Sequence, residues 1–263
     1  MTNLIGVEIR RYLARPLLRW LIALAVLGCV LAGVIALREA GPIGGPDEFR
    51  LAELWVPAGD SLLGLAAFLL PSGAVVGGAS MVGAEWRAGT FVTLLTWQPG
   101  RVRVAVAKIV ACGLVATVVA VLLQVLFCAV FLPAALARGT MDGVDAEWLR
   151  TLVAAVGRIA AITGLAAILM GSIAMMGRNT AAALGAAFGY LMIGENLVRA
   201  WKPWSSRFLL GENSAIFVTG ADLATASFTR STLTAALTLT GYAALAGILA
   251  VTSFARRDLA SAS

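Results

Sequence analysis

The chain contains no histidine. That absence removes His-based zinc sites, Ser-His triads and imidazole proton relays together. Charge is also scarce: Asp, Glu, Lys and Arg make up 13% of the 263 residues, about half the share of a soluble domain. Cysteine is limited to Cys29, Cys112 and Cys128, all inside apolar stretches and without paired metal-ligand spacing, so they read as small packing residues. No phosphate-binding loop is present: Lys108 follows Ala107 and Lys202 follows Trp201, and neither has the Gly-Lys-Ser/Thr context that surrounds a phosphate. With no clustered acids in the apolar runs either, no catalytic residue, metal site or general acid–base pair is expected, and the chain is not expected to be an enzyme.

What remains is apolar. Hydrophobic residues account for 60% of the chain, and the mean hydropathy is +0.91. Six runs are long enough to cross a bilayer: Trp20–Leu37, Leu62–Val82, Ile109–Leu132, Leu152–Met176, Ala181–Val198 and Leu233–Phe254. The third span is taken to begin earlier, near residue 104. The expected fold is an all-α integral membrane domain of six transmembrane helices over residues 1–263. The first run follows four arginines as a secretory signal would, but its apolar core is too long and no small-residue cleavage site follows cleanly, so it is expected to be retained.

Basic residues near span ends resist translocation and so set orientation. With the N-terminus inside, the inner segments hold Arg10, Arg11, Arg15, Arg19, Arg87, Arg101, Arg103, Lys108, Arg178, Arg256 and Arg257 against three acids, Glu8, Glu85 and Asp258. The outer segments hold Arg38, Arg50, Arg138, Arg150, Arg199, Lys202, Arg207 and Arg230 with the other eleven acids. An N-in, C-in topology follows. The basic balance is then explained by the inner membrane surface and requires no nucleic acid. Trp20, Trp55, Trp86, Trp148, Trp201 and Trp204 fall at or near span ends, where indole rings prefer the headgroup region.

Residues 4–20 place Ile5, Ile9, Tyr12, Leu13, Leu17 and Trp20 on one helical face and Arg11, Arg15 and Arg19 on another. Residues 1–19 are therefore expected to form an amphipathic helix along the cytoplasmic surface, interrupted or kinked at Pro16. Gly73-x-x-x-Gly77 in the second span, and Gly185 and Gly189 in the fifth, suggest closely packed helices. Pro71 is expected to kink the second span. The long outer segment, residues 199–232, holds apolar pieces too short to cross and is expected to form short outer helices.

Two charges lie within spans. Arg158 falls about 10 Å below the outer start of the fourth span, and Glu195 occupies the last turn of the fifth. Both sit in the outer half of the bilayer, so an ion pair locking the two spans is expected, with a role in substrate passage as the other reading. Gln124 in the third span is expected to hydrogen-bond between helices.

The inner loop, residues 84–103, reads EWRAGTFVTLLTWQPGR from Glu85 to Arg101. Gly89 breaks the preceding helix, and Thr90 suits the cap of a short new one. Phe91, Leu94 and Leu95 make a compact apolar face, and Gln98 before Pro99 ends the helix. A short helix of this kind, held between two spans, suits insertion into a groove on a soluble partner.

The order Glu85, Gly89-Thr90, Leu94-Leu95, Pro99, Arg101 and Lys108 resembles the cytoplasmic loop of type-2 ATP-binding-cassette (ABC) permeases, with Ala107 where that family has Gly. The motif covers about 25 residues, and the six-span layout is similar along the rest of the chain. The resemblance implies that Glu85, Gly89, Thr90, Phe91, Leu94, Leu95, Pro99 and Arg101 form a cytoplasmic coupling helix. It implies a permease working as a pair, with a second copy or a homologous chain, on two separate ABC ATPase subunits that bind ATP and Mg. It also implies export of a hydrophobic or amphipathic substrate, whether drug, antibiotic, peptide or lipid; the substrate-binding residues are not indicated. The runner-up is a secondary ion-coupled carrier, for which Glu195 lies too near the exit. The Arg, Ala and Gly bias points to a GC-rich bacterium and so to its plasma membrane.

Overall fold

The computed structural model describes residues 2–39, 49–54, 62–87, 100–224 and 228–256. Within them lie six helices long and apolar enough to cross a membrane, which makes the protein an all-α, multi-pass membrane protein. A helix, α1 (Thr2–Leu13), precedes the first span, α2 (Pro16–Glu39). The four-residue α3 (Leu51–Leu54) then leads toward the second span, α4 (Leu62–Arg87). The third and fourth spans are α5 (Arg101–Arg138) and α6 (Ala146–Gly177). The fifth is segmented: α7 (Thr180–Gly189), a π turn (Tyr190–Gly194) and α8 (Glu195–Trp201). A 3₁₀ turn (Pro203–Phe208) and α9 (Leu210–Thr219) precede the sixth span, α10 (Thr232–Arg256).

Sequence chemistry explains several of these boundaries. The surface helix stops at Leu13 because Arg15 precedes a proline, which disfavours helical angles, while Pro16 itself suits a first helical position. Leu17 and Trp20 therefore belong to the first span rather than to the surface helix. Asp145 caps α6 by accepting a 2.7 Å bond from Trp148 N, and Asn179 caps α7 with bonds from Ala181 N and Ala182 N at 2.8 and 3.2 Å. α4 runs continuously through Pro71. Two very short pairings accompany the helices. β1 (Phe49–Arg50) lies parallel to β2 (Gly139–Thr140), and β3 (Leu223–Ala224) lies antiparallel to β4 (Thr229–Arg230).

The core sits where α4, α5, α6 and α10 meet, around Ala79, Ala105, Met170, Ala174 and Ala250. Small residues allow the helices to approach closely, but not at all the positions expected. A Cβ on Gly78 would come within 2.6 Å of Ala167 O, so the α4–α6 contact is built on Gly78, while Gly73 faces open space. Gly77 receives the Tyr12 hydroxyl of α1 instead. Gly185 and Gly189 have nothing within 4 Å, so these two glycines make no close packing within the described residues; the fifth span packs through Ala183 instead. α2 and the fifth span are the least covered of the six.

α1 differs from a helix lying free on a membrane. Its Ile5, Ile9 and Tyr12 pack against Met81, Ala111, Cys112 and Val115, so the apolar face meets protein. Glu8 lies on that same face and is fully buried.

Candidate functional site

The densest electrostatic feature sits on the N-terminal side of the bundle. Lys108, two turns into α5, is completely buried. Its ammonium donates to Glu8 Oε2 at 2.6 Å and lies 2.7 Å from Glu85 Oε2. The second oxygen of each carboxylate is also engaged. Arg15 Nη2 donates to Glu85 Oε1 at 2.7 Å, and Arg11 Nη1 donates to Glu8 Oε1 at 3.3 Å. Arg15 also reaches Ser80 O at 3.0 Å. The result is an alternating chain, Arg11–Glu8–Lys108–Glu85–Arg15, joining α1, α4 and α5.

Such a cluster is stable only when complete. Burying an ion is expensive, and the mutual attraction of the pair offsets this cost only if the remaining valences are filled. Here both carboxylates accept from two cations each, so removal of one member strands its neighbours in a dry site. Tyr12, a turn beyond Glu8, extends the seal: burial, with the neighbouring Cys112 thiol adding to it, pushes its phenol well above the usual tyrosine range.

The position of this cluster matters more than its strength. Glu85 lies at the end of α4 and Lys108 near the start of α5, the two helices that bound residues 88–99. Of the expected coupling residues, Gly89, Thr90, Phe91, Leu94, Leu95 and Pro99 lie outside the described residues. Glu85 and Arg101 lie within them, and Arg101 opens α5. Lys108 thus ties these two helices to each other and to α1.

A second junction lies beside it. Trp86, the neighbour of Glu85, is covered by the Arg178 guanidinium at 4.7 Å and meets Phe254 edge-on at 6.1 Å. Arg178 takes a left-handed backbone conformation, φ 54°, in the turn joining α6 to α7. The ends of spans two and six and the turn between spans four and five thus meet at one indole.

On the opposite side, Arg158 and Glu195 form no ion pair with each other among the described residues. Each is engaged by α9 instead. Glu195 Oε1 accepts from Gly211 N at 2.8 Å, a free amide in the first turn of α9. The Arg158 guanidinium lies against Gly220, the left-handed residue closing the same helix. An acid at the N-terminal pole and a base at the C-terminal pole both complement the helix dipole. Ten residues of helix, about 15 Å, separate those poles, which is why the two charges do not meet. A Cβ at Gly211 would displace the Glu195 carboxylate, and one at Gly220, already in a positive-φ backbone, would overlap the Arg158 guanidinium. Asn213, fully buried in α9, donates to Arg207 O and Leu209 O at 2.9 and 2.7 Å and accepts from Arg230 Nε at 3.1 Å.

Gln124 does bond between helices, from its amide nitrogen to Val156 O at 3.4 Å and to Ala120 O of its own helix at 3.1 Å. Sequence reasoning did not place Glu8 and Arg15 in a site. The signal was nevertheless present, because Ile5, Glu8, Ile9 and Tyr12 fall at helical spacing and set an acid on an apolar face. Among the described residues no group of three or more His, Cys, Asp or Glu suited to a metal ion occurs.

Neither the family models nor the curated proteins compared with this chain match it.

Proposed function

We propose that the protein is the permease subunit of an ABC exporter in a bacterial plasma membrane. The observation that carries this reading is the Lys108 cluster. It binds together the two helices flanking the loop whose sequence resembles a coupling helix, and it fastens α1 to both. A pair of separate ABC ATPases, closing on ATP and Mg, would push residues 88–99. The clamped unit of α1, α4 and α5 would carry that push into the bundle as a rigid body, and spans at a permease–permease interface would shift to open an outward path. The uncovered stripe of Ala182, Gly185, Ala186 and Gly189 on the fifth span, at helical spacing, suits close approach of the second copy or a homologous chain. Direction and substrate class, a hydrophobic or amphipathic molecule, follow from the resemblance alone.

The test is coexpression with any ABC ATPase encoded by a neighbouring gene. Co-purification of the two, with vanadate-sensitive ATP hydrolysis in the complex, is expected. An isolated chain that moves substrate down an ion gradient without nucleotide overturns the proposal and favours a secondary carrier.

A further inference from the structure

The end of the fifth span carries an arrangement that neither the core nor the Lys108 cluster uses. Trp201 is 75% exposed and Trp204 50% exposed, and Phe208 beside them is also exposed. Over these rings lie cations: Lys202 Nζ is 4.7 Å from the Trp201 ring centre, and the Arg207 guanidinium is 5.3 Å from Trp204 and 4.8 Å from Phe208. Among the described residues neither Lys202 nor Arg207 forms an ion pair. The nearby Glu212 is engaged with Arg199 at 3.1 Å.

The backbone arranges these groups as a strip. Residues Pro203–Phe208 form a 3₁₀ turn, in which side chains three apart stand above one another. Ser206 faces the protein and is buried. Trp204 and Arg207 therefore follow one edge of the turn and Ser205 and Phe208 the next, while exposed Trp201 and Lys202 stand just before it, at the end of α8. Exposed indoles at the end of a span sit at the boundary between acyl chains and headgroups. Two cations held against such rings, with no ion pair among the described residues, suit an anion from the same layer.

We propose that this strip is a binding site for an anionic phospholipid headgroup in the leaflet opposite the N-terminus. Lys202 and Arg207 would contact the phosphate while Trp201, Trp204 and Phe208 cover the upper acyl chains. Charge decides between a lipid and a second copy of the chain: a two-fold neighbour packed on this strip would bring Lys202 and Arg207 toward their own images.

The test is native mass spectrometry of the full-length protein released from bilayers that contain phosphatidylglycerol and phosphatidylcholine with identical chains. The wild type is expected to retain phosphatidylglycerol selectively. Lys202→Gln/Arg207→Gln is expected to lose that retention by about tenfold or more, since each basic residue near a surface contributes on the order of 1 kcal/mol to binding anionic lipid. Trp201→Ala/Trp204→Ala should weaken retention of both lipids. Arg199→Gln, which removes a guanidinium already paired with Glu212, should leave the preference unchanged and shows that a nearby charge loss alone is not enough. Equal retention by the wild type and the Lys202/Arg207 double variant overturns the site. Displacement of the lipid by tail-less glycerol phosphate at equal concentration also overturns it, by assigning the cations to a soluble phosphate.

Discussion

Lys108 is the residue on which the N-terminal side of the molecule depends. Lys108→Gln would leave Glu8 and Glu85 without the cation they share. Breaking a buried pair in this way costs about 3–5 kcal/mol. Adding Glu8→Gln should recover much of that loss, because Glu85 keeps Arg15 and the two amides can bond to each other. Thermal unfolding in detergent checks the pair: the double variant is expected to melt above the single one. Tyr12 gives a pH prediction. Its phenol is raised in the folded state by burial, so the stability it contributes is complete below the ordinary tyrosine value near 10 and is lost as pH rises further. Wild-type protein should therefore destabilise in alkali more steeply than Tyr12→Phe, as read from melting temperature against pH. Gly220→Ala adds a methyl where the Arg158 guanidinium lies and forces a side chain into a positive-φ backbone. A loss of at least about 1–3 kcal/mol is expected from the backbone alone.

At the scale of elements, the break at Pro16 was legible and the partners of the helix faces were not. Pro16 announced the break between surface helix and span, because it acts through its own backbone, whereas the Asp145 and Asn179 caps were seen only in the structure. The sequence of α1 showed an apolar face but not whether lipid or protein covers it. Glu8 on that face was the clue, because a carboxylate there needs a buried cation. The expected Arg158–Glu195 ion pair does not form among the described residues, and the expectation did not foresee that α9 would engage the two charges at its two ends. Short outer helices were expected, but a dipole arranged to accept both charges is a property of orientation, which hydropathy does not carry. Glu195→Gln keeps an acceptor for Gly211 N and removes the charge, whereas Glu195→Ala removes both. Hydrogen exchange across residues 210–219 should rise slightly in the first variant and strongly in the second. The expected difference is about the 1–3 kcal/mol of an orphaned buried donor.

Across the whole molecule, six apolar runs stand where the six spans stand, because a bilayer leaves helices little choice of length. Their mutual arrangement was less accessible. Small-residue motifs are frequent in spans, and geometry selected Gly78 over Gly73 for the α4–α6 contact while leaving Gly185 and Gly189 uncovered. The two ends of the molecule are built differently. On the N-terminal side a buried ionic clamp unites the helices bounding residues 88–99. On the opposite side a short helix is pinned at both poles between spans four, five and six.

The most direct test is ATP-driven transport in proteoliposomes containing this chain with the proposed partner ATPase, comparing wild type, Lys108→Gln and Glu8→Gln/Lys108→Gln. The account predicts that Lys108→Gln hydrolyses ATP but transports poorly, and that the double variant regains transport with its stability. Full coupling in Lys108→Gln, in protein shown to have lost the clamp, would contradict it.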